Sequence, residues 1–287
     1  MQISGKYRVI AYVVYLTAVA GLFLFLLFPE DAVRDFVKKG VARIDGDIRV
    51  DINAINPLLP PGVKFKALSL LYKGKPVAKP EYLRITPRLW SLVGNSPRFF
   101  FKTGVFGGII QGSCRIAENH NVNADIRISA LDLKEINQLN EISRHQATGR
   151  VNGNVSVNTQ GDDFTIHSAM ALSDLVVILN QPVFGMQRFQ FDTVKADLSM
   201  TPRRLEIKAG TIEGQVFDGE FTGDIIITAP FNDSILNLRG FIRPQAAFIK
   251  EASKTVPLDL LMKKQSDGKG LPVKLRGTIR EPQISLR

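Results

Sequence analysis

The chain has 287 residues, 45% hydrophobic and 22% charged, a balance that is typical of globular proteins and excludes disorder as the default. The net charge of +10 suits an anionic lipid, an acidic protein or a nucleic acid, but the cations are scattered instead of interleaved with stacking aromatic residues, which disfavours nucleic acid. Cys114 is the only cysteine, so an intrachain disulfide and a cysteine zinc site are excluded, and we expect a small core side chain there.

The first predicted element is a membrane-spanning helix at residues 9–28. This segment carries no charge, and about 20 helical residues match the roughly 30 Å hydrocarbon core of a bilayer. Lys6 and Arg8 precede it and acidic residues follow it, so the positive-inside rule places residues 1–8 in the cytoplasm. A cleaved signal peptide is the alternative, but the run ends in large residues and Pro29 instead of a small-x-small site. We therefore predict a single-pass membrane protein with an uncleaved signal anchor.

Beyond the span we predict a linker helix at residues 29–44, because apolar residues such as Val33 and Val37 recur there at helical spacing. From Ile48 onward, apolar and charged residues alternate along the chain with a period of two. We therefore assign residues 45–287 to a β domain on the far side of the membrane.

Short alternating runs separated by turn residues predict many strands in this domain. The predicted strands are Ile48–Ile52, Val63–Tyr72, Glu81–Ile85, Arg98–Lys102, Gly108–Ile116, Val122–Ser129, Gly149–Val157, Phe164–Leu172, Gln187–Met200, Arg204–Ile212, Gln215–Thr228, Ser234–Ile242, Val273–Ile279 and Gln283–Leu286. Two interruptions, Asp132–Ile142 and Pro244–Lys264, are predicted to be helical. A helical turn is expected at Pro87–Val93, and we expect Trp90 within it to cover the end of the sheet. The pattern indicates a mainly β protein and not a βαβ fold.

Glycines recur four residues apart along several predicted strands. The set is Gly104, Gly108, Gly112, Gly149, Gly153, Gly210, Gly214, Gly219 and Gly223. Even spacing in a strand places residues on one face, so these segments carry a bare stripe next to apolar neighbours. Two interpretations stay open: the glycines relieve crowding where the sheet coils, or they line a groove that admits an acyl chain. The candidate apolar groove residues are Phe106, Ile110, Val122, Ile126, Ile128, Val155, Val157, Leu198 and Phe221.

No sequence pattern points to catalysis. The three histidines have no partner at a metal-binding spacing, and the nucleophile elbow, the phosphate loop and the zinc-protease motif do not occur. Asp45 with Asp47, and Asp162 with Asp163, lie beside glycine in turn-like sequence, where solvated turn acids are the common case. We therefore predict a protein that is not an enzyme, with no catalytic residue, no metal and no cofactor.

Several stretches in the same order resemble the type II secretion system protein N family. In Asp45–Ile116 these are a "PPG" break, "LSLLYKGKPVAKPEYLRI", "PRLWSLVG" and "GVFGGIIQG"; in Gly210–Pro244 it is "GTIEGQVFDGEFTGDIIITAPFNDSILNLRGFIRP". The segment "LPVKLRGTIREPQISL" at Leu271–Leu286 resembles the closing strands of the wider AsmA-like group. Each motif is only glycine, alternation and proline, so their order and spacing carry the resemblance.

The resemblance implies an inner-membrane protein whose part in the bacterial periplasm is a long, curved, mostly antiparallel open β-sheet, gutter-like, with a few short helices. It implies an accessory role in the machinery that moves folded proteins from the periplasm across the outer membrane, and AsmA-like relatives are associated with lipid movement between membranes. Many AsmA-like chains are far longer, so lipid conduction across the periplasm would need a partner or stacked copies. Neither group supplies catalytic residues.

Two hypotheses follow. The first is a scaffold of the type II secretion envelope complex, whose partners are other secretion-system envelope proteins joined by strand addition at sheet edges. The second is a lipid-handling module whose apolar face takes phospholipid acyl chains. The residues that separate them are Val122, Ala124, Ile126, Ile128, Val194, Ala196, Leu198 and Met200. An uncovered face favours lipid, whereas a face capped by Pro244–Lys264 favours the scaffold.

Overall fold

The structure is a computed structural model that describes part of the chain. The described residues are 12, 15, 16, 19, 27–44, 46–58, 62–92, 94–117, 119, 121–136, 146–161, 163–183, 185–246, 248–249 and 270–285. The predicted span at residues 9–28 lies largely outside them and stays a prediction. Within the described residues, no helix is both long and apolar enough to cross a bilayer. The chain divides into two compact units, Met1–Thr86 (unit 1) and Pro87–Arg287 (unit 2).

From Leu27 to Thr86, the described residues of unit 1 form a helix and a small antiparallel sheet. Its elements are α1 (Glu30–Ile44), β1 (Ile48–Leu58), β2 (Gly62–Tyr72), β3 (Lys75–Ala78) and β4 (Tyr82–Pro87). Strand β2 pairs antiparallel with β1, β3 and β4. The helix predicted in residues 29–44 is confirmed as α1, which has Glu30 and Asp31 in its first turn, where acidic side chains favour the helix dipole.

Helix α1 packs on the sheet of unit 1 and closes a core. The buried core residues are Ile52, Ile55, Phe65 and Leu68. Ile55 is 0% and Phe65 3% exposed, and Val33 and Val37 of α1 pack against this cluster. The helical spacing of the two valines therefore places them on the face that meets the strands.

Unit 2 is an antiparallel sheet whose strands follow one another in chain order. The strands are β5 (Arg98–Val105), β6 (Gly108–Ile116), β7 (Val122–Asp132), β8 (Gln146–Gln160), β9 (Asp163–Val183), β10 (Met186–Thr201), β11 (Arg204–Gly214), β12 (Phe217–Ile226), β13 (Ile235–Pro244), β14 (Leu271–Thr278) and β15 (Pro282–Ser285). Short 3-10 turns lie at Leu89–Ser91 and Phe231–Asp233. The prediction of a mainly β protein with an open antiparallel sheet is confirmed.

Strands β7 and β9 contain bulges and continue beyond the residue at which apolar and polar residues stop alternating in the sequence. Ala130 has φ 53° at a register shift between β7 and β8, after which Leu131 lies opposite Val151. Asp174 also has φ 53°, at the register shift between β8 and β9. An extra residue reverses the side-chain alternation, so Leu131 and Leu175 return to the face that holds the earlier apolar residues.

The helical turn predicted at Pro87–Val93 is confirmed as the 3-10 turn at Leu89–Ser91, but two other predictions in unit 2 are corrected by the described residues. Trp90 does not cover the sheet; it is 89% exposed on the 3-10 turn. Asp132, predicted to begin a helix, ends β7 and is followed by a turn in which the Glu135 amide donates to the Asp132 carbonyl at 3.2 Å. Residues 137–142 lie outside the described part of the chain.

The C-terminal helical prediction, Pro244–Lys264, is only partly covered. Pro244 ends β13, and residues 246, 248 and 249 are helical, with the Ile249 amide donating to the Gln245 carbonyl at 3.2 Å. Phe248 is 1% exposed and packs with Leu271. Residues 250–264 lie outside the described residues, so the rest of this helix stays a prediction.

Candidate functional site

One face of the unit 2 sheet is apolar from its first strand to its last. Each residue of a single row lies directly opposite the next one on the neighbouring strand. This apolar row is Phe101, Gly112, Ile126, Val155, Ser168, Leu198, Ile207, Gly223, Leu238, Leu275 and Ile284. Ser168 is its only polar side chain. Directly opposed residues share a face, so the row defines what we call the apolar face of unit 2.

The other face of the same strands is polar. A second row, one residue along from the first, runs from β5 to β15. This polar row is Phe100, Ser113, Asp125, Ser156, His167, Ser199, Glu206, Asp224, Asn237, Arg276 and Gln283. The period-2 alternation of the sequence is therefore expressed as two chemically different surfaces of one sheet.

The apolar face is only half-buried along most of its length. Ile126, Val155 and Leu198 are all half-buried, whereas Ile207, farther along the same row, is 7% exposed. A sheet face that packed against a second layer would bury such residues almost completely. Among the described residues, no second layer covers the central strands, and apolar area remains accessible there.

The apolar face curls into a small cavity near its C-terminal strands. The cavity has a volume of about 240 Å³ and is lined by Val177, Leu179, Phe189, Phe191, Phe217, Ile242, Phe248, Val273 and Ile284. In a flat sheet with strands about 4.8 Å apart, β9 and β15 would be about 29 Å from each other. Leu179 on β9 and Ile284 on β15 line one cavity, so the sheet curls toward its apolar face.

Phenylalanines build the wall of this cavity. The ring centroids of Phe191 and Phe217 are 5.4 Å apart and those of Phe217 and Phe248 are 6.0 Å apart, both edge to face. This arrangement is the favourable one for aromatic quadrupoles. The cavity is therefore an apolar pocket with walls of packed aromatic rings, at one end of the open face.

Glycines on the apolar face leave space for aromatic rings and for the backbone of neighbouring strands. A Cβ added at Gly210 would overlap the Phe221 ring, which lies directly opposite on β12. At Gly112 it would overlap the carbonyl oxygen of Asp125 and lie 3.0 Å from the Phe101 ring. The glycines thus allow rings to lie across the sheet and strands to approach closely where it coils.

Most of the predicted groove residues come together on the apolar face. Those placed there by strand register are Ile110, Val122, Ile126, Ile128, Val155, Val157, Leu198 and Phe221. Phe106 is not among them, because it lies in the β5–β6 hairpin turn with φ 51°. The register likewise puts Gly104 opposite Ile109 on the polar face, because the hairpin separates it from Gly108 and Gly112 and even spacing keeps a face only within one strand.

The remaining predicted glycines fall into two groups. Gly210 with Gly214, and Gly219 with Gly223, lie on the apolar face, opposite residues that include Phe221, Phe191, Ile212 and Ile207. Gly153 lies opposite Ile128 and Met170 on the same face. Gly149 lies at the register shift between β8 and β9 with φ 149°, where it serves the bulge and not the groove. The stripe is therefore real on β6, β11 and β12.

Cys114 lies on the apolar face opposite Phe99 and Ala124 and is half-buried. Burial raises the pKa of its thiol, because it disfavours the thiolate. The side chain therefore behaves as a small apolar residue, but it lies on the half-buried apolar face and not in the core position that the sequence predicts.

The polar face offers hydrogen-bonding groups but no assembled catalytic centre among the described residues. The Ser156 hydroxyl donates to Asp125 Oδ1 at 3.0 Å, and His167 lies opposite Ser156 on the next strand. A nucleophilic serine would instead donate to the histidine, with the carboxylate on the far side of the ring. No described cluster of His, Cys, Asp and Glu side chains has the makings of a metal site. His120, His145, Asp45 and Asp162 lie outside the described residues.

Positive charge is concentrated on the polar face of β13 and β14. Arg239 lies directly opposite Lys274, and Arg276 lies opposite Asn237 and Gln283, so the register puts no carboxylate against these cations. All three cations are exposed. Like charges directly opposed across strands repel each other, so this patch is a surface feature and not a source of stability.

Together these features define a class: a mainly β protein whose open antiparallel sheet has one apolar and one polar face. No protein-family model, no curated protein and no solved structure matches the chain. The function is therefore argued from the sheet itself.

Proposed function

We propose that unit 2 binds the acyl chains of phospholipid along its apolar face, in an inner-membrane-anchored protein of the bacterial periplasm. The sheet is then a curved gutter whose trough is this face. The observation that carries the proposal is the apolar row, which crosses every strand of unit 2 with one hydroxyl and no charge.

Exposure separates this proposal from a capped scaffold. The residues chosen to decide between the two hypotheses, including Ile126 on β7 and Leu198 on β10, share the apolar face and are half-buried. Among the described residues of the segment expected to cap them, Phe248 packs against Phe217 and Leu271 at the C-terminal end of the sheet. Each methylene that the accessible face removes from water contributes about 0.8 kcal/mol to the free energy of binding, which favours an acyl chain as the ligand.

The aromatic cavity fits the proposal as the end of the trough. A chain lying across the strands would meet Phe191 and Phe217 there, without a polar group to satisfy. Binding of this kind requires no catalytic residue and no cofactor.

The second candidate is the accessory role in type II secretion that the sequence resemblance implies. It is favoured by strand β15, which ends the sheet and whose residues Pro282–Ser285 are all exposed. An exposed edge accepts a strand from another envelope protein through main-chain hydrogen bonds. The two functions are compatible, because one uses a face of the sheet and the other an edge.

The test is native mass spectrometry of the full chain extracted from membranes, with lipid identified after dissociation. We expect stoichiometric phospholipid on the unaltered protein and its loss on Ile126→Gln/Val155→Gln, which puts amides on the trough. The matched control is Arg127→Gln/Asn154→Gln, the next opposed pair on the polar face of the same strands. Equal lipid in both variants would overturn the proposal, because lipid held around a membrane anchor does not distinguish them.

A further inference from the structure

Three large apolar side chains protrude from the 3-10 turn of unit 2. Leu89 is 48%, Trp90 89% and Leu92 49% exposed. Single exposed apolar residues are ordinary, but three within four positions, one of them tryptophan, form a patch that water disfavours. Such patches mark surfaces that meet a partner.

The turn that presents them is fixed to β5. The Ser91 hydroxyl donates to the Arg88 carbonyl at 2.6 Å and accepts from the Arg98 amide at 2.9 Å, and the Arg88 amide donates to the Arg98 carbonyl at 2.8 Å. The Leu92 amide donates to the Leu89 carbonyl at 3.0 Å. The apolar side chains are therefore held outward by an ordered turn and need little reorganisation to bind.

The surroundings of the turn are positively charged. The sequence from Pro87 to Arg98 contains two arginines and no acidic residue. Across the strands Arg98 lies directly opposite Arg115, whose other neighbour is Asn123, so within the described register no carboxylate offsets them. Arg88 and Arg98 thus flank the exposed tryptophan and leucines in the chain, and Arg115 lies opposite Arg98 on the next strand.

We propose that the turn Leu89–Leu92 docks into the interface of an anionic phospholipid bilayer. The indole of Trp90 suits the headgroup level, Leu89 and Leu92 enter the acyl boundary, and the arginines attract anionic headgroups. A protein partner would bury the apolar side chains equally well, but it does not explain why the segment from Pro87 to Arg98 carries arginines and no acidic residue. This docking is separate from lipid binding in the trough, and either can hold without the other.

Trp90 is the only tryptophan of the chain, so its fluorescence reports this site alone. The full chain is reconstituted into phosphatidylcholine vesicles with or without phosphatidylglycerol, using lipids with brominated acyl chains as contact quenchers. A second arm places the brominated lipids only in separate anionic vesicles that are added afterwards. We expect Trp90 emission to shift to shorter wavelength and to be quenched when phosphatidylglycerol is present in either arm. Emission typical of water in both arms overturns the proposal.

Paired variants identify the cause of any quenching. Arg98→Gln/Arg115→Gln removes two charges and is expected to weaken docking roughly 30-fold at low salt. Lys274→Gln/Arg276→Gln removes the same charge on β14 and is expected to leave it unchanged. Leu89→Ser/Leu92→Ser is expected to abolish the quenching without unfolding the sheet, since both side chains are exposed. Ile126→Gln/Val155→Gln is expected to leave the Trp90 signal unaltered, which separates failure of docking from failure of the trough.

Discussion

The two units use apolar sheet residues in contrasting ways. In unit 1 helix α1 lies on the strands, and Ile52 and Ile55 are 6% and 0% exposed. In unit 2 the isoleucine and valine of the central apolar row, Ile126 and Val155, are only half-buried. The side-chain chemistry is the same in both places, and the covering layer makes the difference.

This difference shows that alternation in a sequence determines which residues share a face of the sheet. It does not determine whether a second layer covers that face. The apolar side chains of a covered face contribute their full transfer free energy to folding. The side chains of an open face are still partly in water, so a ligand that covers them gains the rest of that free energy on binding. The apolar face of unit 2 is therefore the surface that we propose binds lipid.

The largest expected effect comes from shortening one isoleucine in each unit, which compares the covered face of unit 1 directly with the open face of unit 2. Ile52→Ala removes a packed core side chain in unit 1 and is expected to cost about 2–5 kcal/mol. Ile126→Ala on the open face is expected to cost about 1 kcal/mol, because the side chain is already partly in water. Urea denaturation followed by circular dichroism gives both values. Equal costs would mean that the face of unit 2 is covered, and the comparison would fail.

Glycine substitutions sharpen the comparison by testing why the open sheet coils. Gly112→Ala drives a Cβ into the Asp125 carbonyl and toward the Phe101 ring, and it is expected to cost about 1–3 kcal/mol. Gly40→Ala in α1 is the control, since nothing lies within 4 Å of its added Cβ. A helix interior favours alanine, so this change is expected to stabilise by about 0.5–1 kcal/mol. Thermal denaturation should show opposite signs; the same sign in both would refute the close approach.

The smallest expected effect concerns the polar face. Lys274→Glu replaces the like-charge pair with Arg239 by an opposite-charge pair and is expected to stabilise by about 0.2–1 kcal/mol. The gain should shrink in high salt, because both side chains are exposed. Lys102→Glu, on another exposed position of the polar face, is a control for net charge. An equal gain from both would show that total charge and not the pairing matters.

The sequence predicts the strands well where alternation is strict and shortens them where a bulge intervenes. The strand predicted at Val122–Ser129 continues to Asp132, and the one predicted at Phe164–Leu172 continues to Val183. Both predictions stop where an extra residue, Ala130 or Asp174, breaks the period. Neither is glycine, so the sequence gives no signal of positive φ at Ala130 and only the weak one of an aspartate at Asp174.

The errors at the candidate sites have related physical causes. Trp90 is predicted to cover the end of the sheet, but its side chain is 89% exposed on the 3-10 turn. Phe106 and Gly104 are misplaced because a hairpin turn resets which face even spacing selects. The pairing of Phe221 with Gly210 depends on strand register, which alternation alone leaves open.

The central claim is that lipid contacts the apolar face of unit 2 and not its polar face. Its most direct test is to place the photoreactive residue benzoylphenylalanine at Ile126 or at Arg127 in the full chain, irradiate living cells and analyse the adducts by mass spectrometry. The two positions are adjacent on β7 and point to opposite faces. The account predicts phospholipid adducts at Ile126 and none at Arg127. Lipid adducts at both positions, or only protein adducts at Ile126, would contradict it.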